Sequence, residues 1–291
     1  MQRNAPTGGA RGFWNCLAGI LIFSGSLPAT RVAVLSLDPV FLTHARAALA
    51  GLLGGILLFA LHASRPRRKD LLPLLVVAGG VVIGFPLFTG LALRHVGAAD
   101  AIGFLGLLPL STTVFGFIRG GERPKPVFWG FAILGAAIVM AGSGLSLAAT
   151  ASEGVIYMLM AVLVCGLGYA EGAILARRLG GWQVISWALV LSLPVSMGLT
   201  LRIWPDDLLR VDLAGWLAFL YVSIFSMLVG FIFWYRGLAM SGIALSSQLQ
   251  LLQPFAAFML AALVLGESVS LGMIGTAAAV MFCVAGARRF G

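Results

Sequence analysis

The chain has 291 residues, 60% of them apolar and 10% charged, with a mean hydropathy of +1.03. This excludes an ordinary soluble domain, which needs about 25% charged residues to cover its surface, and leaves a membrane protein. The net charge of +9 does not point to nucleic acid, because the basic residues stand in short clusters between apolar runs.

The first twelve residues are polar and basic, and the apolar run after them is long enough to be kept as a first helix rather than removed as a leader. A helix needs ~20 apolar residues to cross a bilayer. On that basis the sequence predicts helices near 13–34, 39–62, 71–93, 99–118, 126–148, 154–176, 182–202, 213–235, 243–264 and 270–288. Glycine occurs 38 times, about twice its usual share of roughly 7%, as expected where helices approach closely. With the N-terminus inside, Arg3, Arg11, Arg65, Arg67, Arg68, Lys69, Arg119, Arg123, Lys125, Arg177, Arg178, Arg236, Arg288 and Arg289 are cytoplasmic. Those are 14 of the 19 Lys and Arg, against Arg94, Arg202 and Arg210 outside. The bias puts both termini in the cytoplasm and favours an even number of crossings of a bacterial inner membrane.

An internal repeat organises the chain. Gly97, Pro109, Gly121, Glu122 and Gly130 match Gly242, Pro254, Gly266, Glu267 and Gly275 at one offset of 145 residues (242 − 97). The expected fold is therefore an all-α membrane protein of ten transmembrane helices, arranged as two five-helix repeats over residues 13–148 and 149–291. Because five is odd, the second half enters the membrane inverted, the arrangement from which alternating access is built.

Ten helices in a five-plus-five plan, a small-residue entry to helices 4 and 9, the prolines Pro109 and Pro254, and the pairs Gly121-Glu122 and Gly266-Glu267 resemble the EamA-type branch of the drug/metabolite transporter superfamily. The resemblance covers nearly the whole chain and extends in length and layout to YddG-like amino-acid exporters. It implies a cavity walled by helices 1, 3, 4, 6, 8 and 9. Helix 1 departs from the Trp-Gly pattern of many members, with Phe23, Ser24, Gly25 and Ser26 there instead.

Several residues are candidates for that cavity. Pro109 and Pro254 fall near the middle of helices 4 and 9 and would free the carbonyls of Leu105 and Gln250; the alternative is a packing kink. Ser246, Gln250 and Gln253 form one stripe at i, i+4, i+7 on an otherwise apolar helix, either for a ligand or for interhelical hydrogen bonds. Gln248 points elsewhere. Asn15, Gly19 and Ser26 share a face of helix 1. Tyr169 and Glu171 lie on helix 6, and Glu171 could hold an ammonium, carry a proton or be structural. Ser223, Ser226 and Gly230 make a face of helix 8, followed by Trp234 and Tyr235, whose position suits an aromatic belt. Arg31 and Arg46 are expected to snorkel to headgroups, although Arg46 could draw a carboxylate.

Enzyme classes find no support. Gly142-Ser143-Gly144 has no histidine on a later helix to activate its serine, and no Walker A sequence is present. Cys16, Cys165 and Cys283 have no paired spacing, so neither disulfide nor metal is expected, and no cofactor. The expected function is a secondary or facilitative carrier exporting small organic metabolites, foremost amino acids. The alternative is proton-coupled efflux of drugs or lipophilic cations. The partners are a small-molecule substrate and the lipid bilayer, with the chain a monomer or homodimer.

Overall fold

The computed structural model describes residues 9–92, 95, 104–142, 153–265 and 271–290, which are helical with no strand among them. Gly97, Ser143, Gly144, Gly266 and Glu267 lie outside the described residues, as does the Arg31 side chain. Among the described residues six helical spans are long and apolar enough to cross a bilayer: Ala10–Thr30, Pro39–Ala60, Arg68–Ala92, Glu153–Leu179, Gly181–Arg202 and Leu213–Ser241. Pro126–Ala141 is a shorter apolar helix.

The first span is broken rather than continuous, with α1 (Gly9–Ser24) and α2 (Ser26–Ala33) meeting at Gly25. Pro28 has no N–H for the Ser24 carbonyl, and the Tyr221 hydroxyl donates to the Ile22 carbonyl at 2.7 Å. A Cβ at Gly25 would stand 2.4 Å from that hydroxyl, so only glycine admits the Tyr221 ring here. Next, α3 (Pro39–Ala60) starts cleanly because Pro39 suits the first turn and Asp38 accepts from the Val40 N–H at 2.8 Å.

Two spans change pitch halfway. The third runs as α4 (Arg68–Val77), a π-helical turn over Ala78–Gly84, and α5 (Phe85–Ala92). After α6 (Leu108–Gly120), α7 (Pro126–Gly142), α8 (Glu153–Leu179) and α9 (Gly181–Arg202), the same happens again. There α10 (Leu213–Leu220) passes through a π-helical turn over Tyr221–Val229 into α11 (Gly230–Ser241). The Phe85 N–H donates to the Gly80 carbonyl and the Gly230 N–H to the Phe225 carbonyl. The two bonds are offset by 145 residues (225 − 80), as are α6 and the helix Gln253–Leu265 (253 − 108).

The expected helix over 243–264 is three pieces: α12 (Ile243–Gln248), a 3₁₀ turn over Leu249–Leu252, and α13 (Gln253–Leu265); α14 (Leu271–Phe290) follows. Pro109 and Pro254 each fall at the second position of a helix, α6 and α13, not mid-helix. A proline suits the first turn of a helix because its fixed φ matches the helical backbone. The Gln250 carbonyl is not free either, since the Gln253 N–H closes the 3₁₀ turn onto it.

Glycines set the closest approaches. A Cβ at Gly237 on α11 would lie 2.3 Å from Cys16 Sγ on α1, and one at Gly51 on α3 would lie 3.0 Å from the Leu189 carbonyl on α9. Trp234 and Tyr235 are wholly buried in the core those helices share. They do not form an aromatic belt: the π-helical turn before them rotates both rings inward. The large apolar side chains left outside, such as Phe59 and Leu72, are on faces suited to lipid.

Candidate functional site

A cavity of about 980 Å³, counting its mouth, opens between α1, α2, α3, α5, α8, α11 and the broken segment around Gln250. Val81, Phe85, Leu105, Leu108 and Met227 give it an apolar wall. Phe23, Tyr169 and Phe231 close its inner end, with ring centroids 4.8 Å apart for Phe23 and Phe231 and 5.9 Å for Tyr169 and Phe231. Trp234 packs behind Tyr169, its ring tilted by 59° with centroids 5.5 Å apart. Both π-helical turns border this space, contributing Val81 from one and Ser226 and Met227 from the other.

Polar groups are few and several lack partners. Ser26 Oγ donates to Ser226 Oγ at 2.8 Å, and Arg46 Nη2 donates to the same oxygen at 3.4 Å. Gln250 Nε2 donates to Gln253 Oε1 at 3.4 Å. Arg46 Nε, Thr89 Oγ1 and Gln250 Oε1 are buried without a hydrogen-bond partner, though all three residues line the cavity. Orphaned polar atoms around an apolar space are what a ligand site leaves when the ligand is absent.

Of the residues expected at a site, Ser26, Tyr169, Gln250, Gln253 and Pro254 line this cavity. Asn15 does not, and its amide donates to the Arg11 carbonyl one turn back at 2.7 Å. Ser246 is buried beside Cys16, away from the cavity. The stripe splits because a 3₁₀ turn advances ~120° per residue rather than ~100°, swinging Gln250 and Gln253 off the Ser246 face. Pro109 is buried without lining the cavity, which its neighbours Leu105 and Leu108 do. Glu171 is elsewhere too, in an ion pair with Arg119. Arg46 does not snorkel: it is buried and turned inward. Ser226 and Thr89 belong to the site as well. A charge within a predicted span, with Ala45, Ala47 and Ala48 around it, was the signal for Arg46.

Beyond the aromatic end, where most of the basic residues gather, the helices are tied by ions. Arg119 pairs with Glu171 and Arg178 with Asp70, while Arg177 Nη2 donates to Glu122 Oε1 at 2.7 Å. Glu122 also accepts from the Ile243 and Ala244 N–H groups, each at 2.8 Å, and so caps α12 from the end of α6. The cavity lining runs the other way, out to Thr30, Gly90 and Ala257.

Residues 10–147 match the EamA-like transporter family, and residues 152–288 match it a second time. The chain belongs to the EamA-like transporter family. It is a multi-pass membrane transporter built from a duplicated domain, within the drug/metabolite transporter superfamily. It is 56% identical over 279 residues to the "Uncharacterized transporter YdeK" of Bacillus subtilis (strain 168), across 96% of this chain and 97% of that one. A protein crystal structure superposes with a TM-score of 0.75 at 19% identity, covering 96% of both chains, which establishes the shared fold.

Proposed function

We propose that this EamA-family chain is a secondary or facilitative carrier that moves amino acids or similar small metabolites out of the cell by alternating access. The observation that carries this reading is the cavity. It lies between parts of both repeats, is mostly apolar, and holds orphaned polar atoms at Thr89, Arg46 and Gln250. The full reading has ten crossings in two inverted halves, both termini in the cytoplasm of a bacterial inner membrane, and a monomer or homodimer as the working unit. The matched offset of the two π-helical turns and of α6 with α13 supports the repeat. With the basic end cytoplasmic, the cavity faces outward and the ion pairs close the inner side.

Substrate would sit against Gln253, Gln250 and Ser26, with Tyr169 beneath it and Pro254 shaping the wall. The cation-efflux alternative gains nothing from the geometry, since Glu171 is committed to Arg119 outside the cavity. Proteoliposomes loaded with labelled amino acids, with and without a pH gradient, test the reading. We expect saturable movement without the gradient, and a rise in KM of about three- to tenfold for Gln253→Ala, the loss of one hydrogen bond. A lipophilic cation that moves only with the gradient, while amino acids do not move, would overturn it.

A further inference from the structure

Among its described lining residues the cavity carries one full charge and no counter-charge. Arg46 lies roughly 10 Å along α3 from its start, at ~1.5 Å per residue, and is 8% exposed. Among the described residues no Asp or Glu lies within ion-pair distance of it, and none lines the cavity. Its one hydrogen bond is the long contact with Ser226, and its Nε has no partner. A guanidinium in that state is costly, and transport proteins keep such charges where a partner arrives. Lipid headgroups do not supply that partner, because the side chain faces into the bundle.

We propose that Arg46 and Ser226 form a carboxylate-binding subsite, so that the transported molecule docks there through one negatively charged group. The assignment rests on the carrier reading above and names what that carrier recognises. The planar guanidinium fork matches the two oxygens of a carboxylate. Ser226 Oγ already accepts from Ser26 and Arg46, which leaves its own proton to donate to a ligand oxygen. No second Lys or Arg is found among the described lining residues, so the subsite balances a single negative charge and not a phosphate dianion. Only neutral acceptors face an ammonium group: Gln250 Oε1, on a side chain 5% exposed, and Thr89 Oγ1, at 6%. A carboxylate meets a full opposite charge on Arg46 while an ammonium meets only dipoles, so the carboxylate dominates recognition.

The test uses the purified full-length protein with leucine and phenylalanine, each accompanied by its deaminated acid and its decarboxylated amine. Thermal shift reports binding, and competition in proteoliposomes reports access to the transport site. We expect the amino acids and the deaminated acids to bind and the amines not to. Arg46→Gln should weaken both kinds of carboxylate ligand by about tenfold or more, with Arg46→Lys between the two. The ligand-free Arg46→Gln protein should melt no lower than wild type, since an unpaired buried charge has been removed. An amine that binds as tightly as its parent acid, unchanged leucine affinity in Arg46→Gln, or a lower ligand-free melting temperature in that variant overturns the subsite and leaves the carrier reading standing. A wild-type protein that binds none of the six compounds overturns the amino-acid reading itself, and the subsite with it.

Discussion

Arg119→Ala is expected to lower stability by about 3 kcal/mol, while Glu171→Gln in the same ion pair is expected to cost less than about 1 kcal/mol. The asymmetry follows from burial, because the Arg119 side chain is 54% exposed and the Glu171 side chain 5%. An exposed guanidinium that loses its partner is rehydrated. A buried carboxylate that loses its partner is left uncompensated, and the lower end of that cost applies here because the pair sits at the basic, water-facing end of the bundle. Combining Arg119→Ala with Glu171→Gln should therefore recover most of the loss. Cys16, Cys165 and Cys283 are buried and free, so a thiol-reactive dye reads unfolding directly during a thermal ramp in detergent. Equal losses from both single variants would mean that the exposure difference does not govern the pair. A folded Glu171→Gln protein that no longer transports would return Glu171 to the transport mechanism.

The second large effect separates two adjacent glycines. A Cβ at Gly80 would lie 2.3 Å from the Val164 backbone carbonyl on α8, whereas one at Gly79 meets nothing within 4 Å. Gly80→Ala must push α8 away from the π-helical turn, and a backbone carbonyl cannot swing aside as a side-chain tip can. We expect a loss of about 2–3 kcal/mol, in the range of core overpacking, together with loss of transport, since Val81 on the same turn and Phe85 at the start of α5 form part of the cavity wall. Gly79→Ala should fall within about 0.5 kcal/mol of wild type. Melting temperature and uptake measured on the two variants side by side decide the point. Similar behaviour of both would show that this helix contact is not tight.

Legibility was uneven in a way the residues explain. Apolar runs marked the spans because burial in lipid demands the same chemistry along a whole helix, whatever its neighbours. Gln250 and Gln253 were legible because glutamine is costly against lipid and so marks an inward face on its own helix. Asn15 and Ser246 are equally polar but find other outlets, one on the preceding turn and one in the helix interface beside Cys16. Trp234, Tyr235 and Arg46 were misplaced for a shared reason. Depth along a span can be counted from sequence, but the direction a side chain faces depends on the pitch before it, as for Trp234 and Tyr235, or on which neighbours a regular helix packs against, as for Arg46 on α3.

The sequence by itself determined the membrane class, the apolar spans, the 145-residue repeat and the two cavity glutamines, all consequences of composition and local periodicity. Tertiary structure alone decided that Arg46 turns into the cavity, that Glu171 belongs to Arg119, and that Ser246 leaves the glutamine stripe. The Ser246 outcome depends on pitch, whereas Arg46 and Glu171 sit on the unbroken helices α3 and α8 and face where the packing of those helices turns them. A π-helical turn takes in an extra residue, worth about 100° of rotation, and a 3₁₀ turn overwinds by ~20° per residue. Which rotation is adopted is set by glycine contacts and ion pairs between helices far apart in the chain.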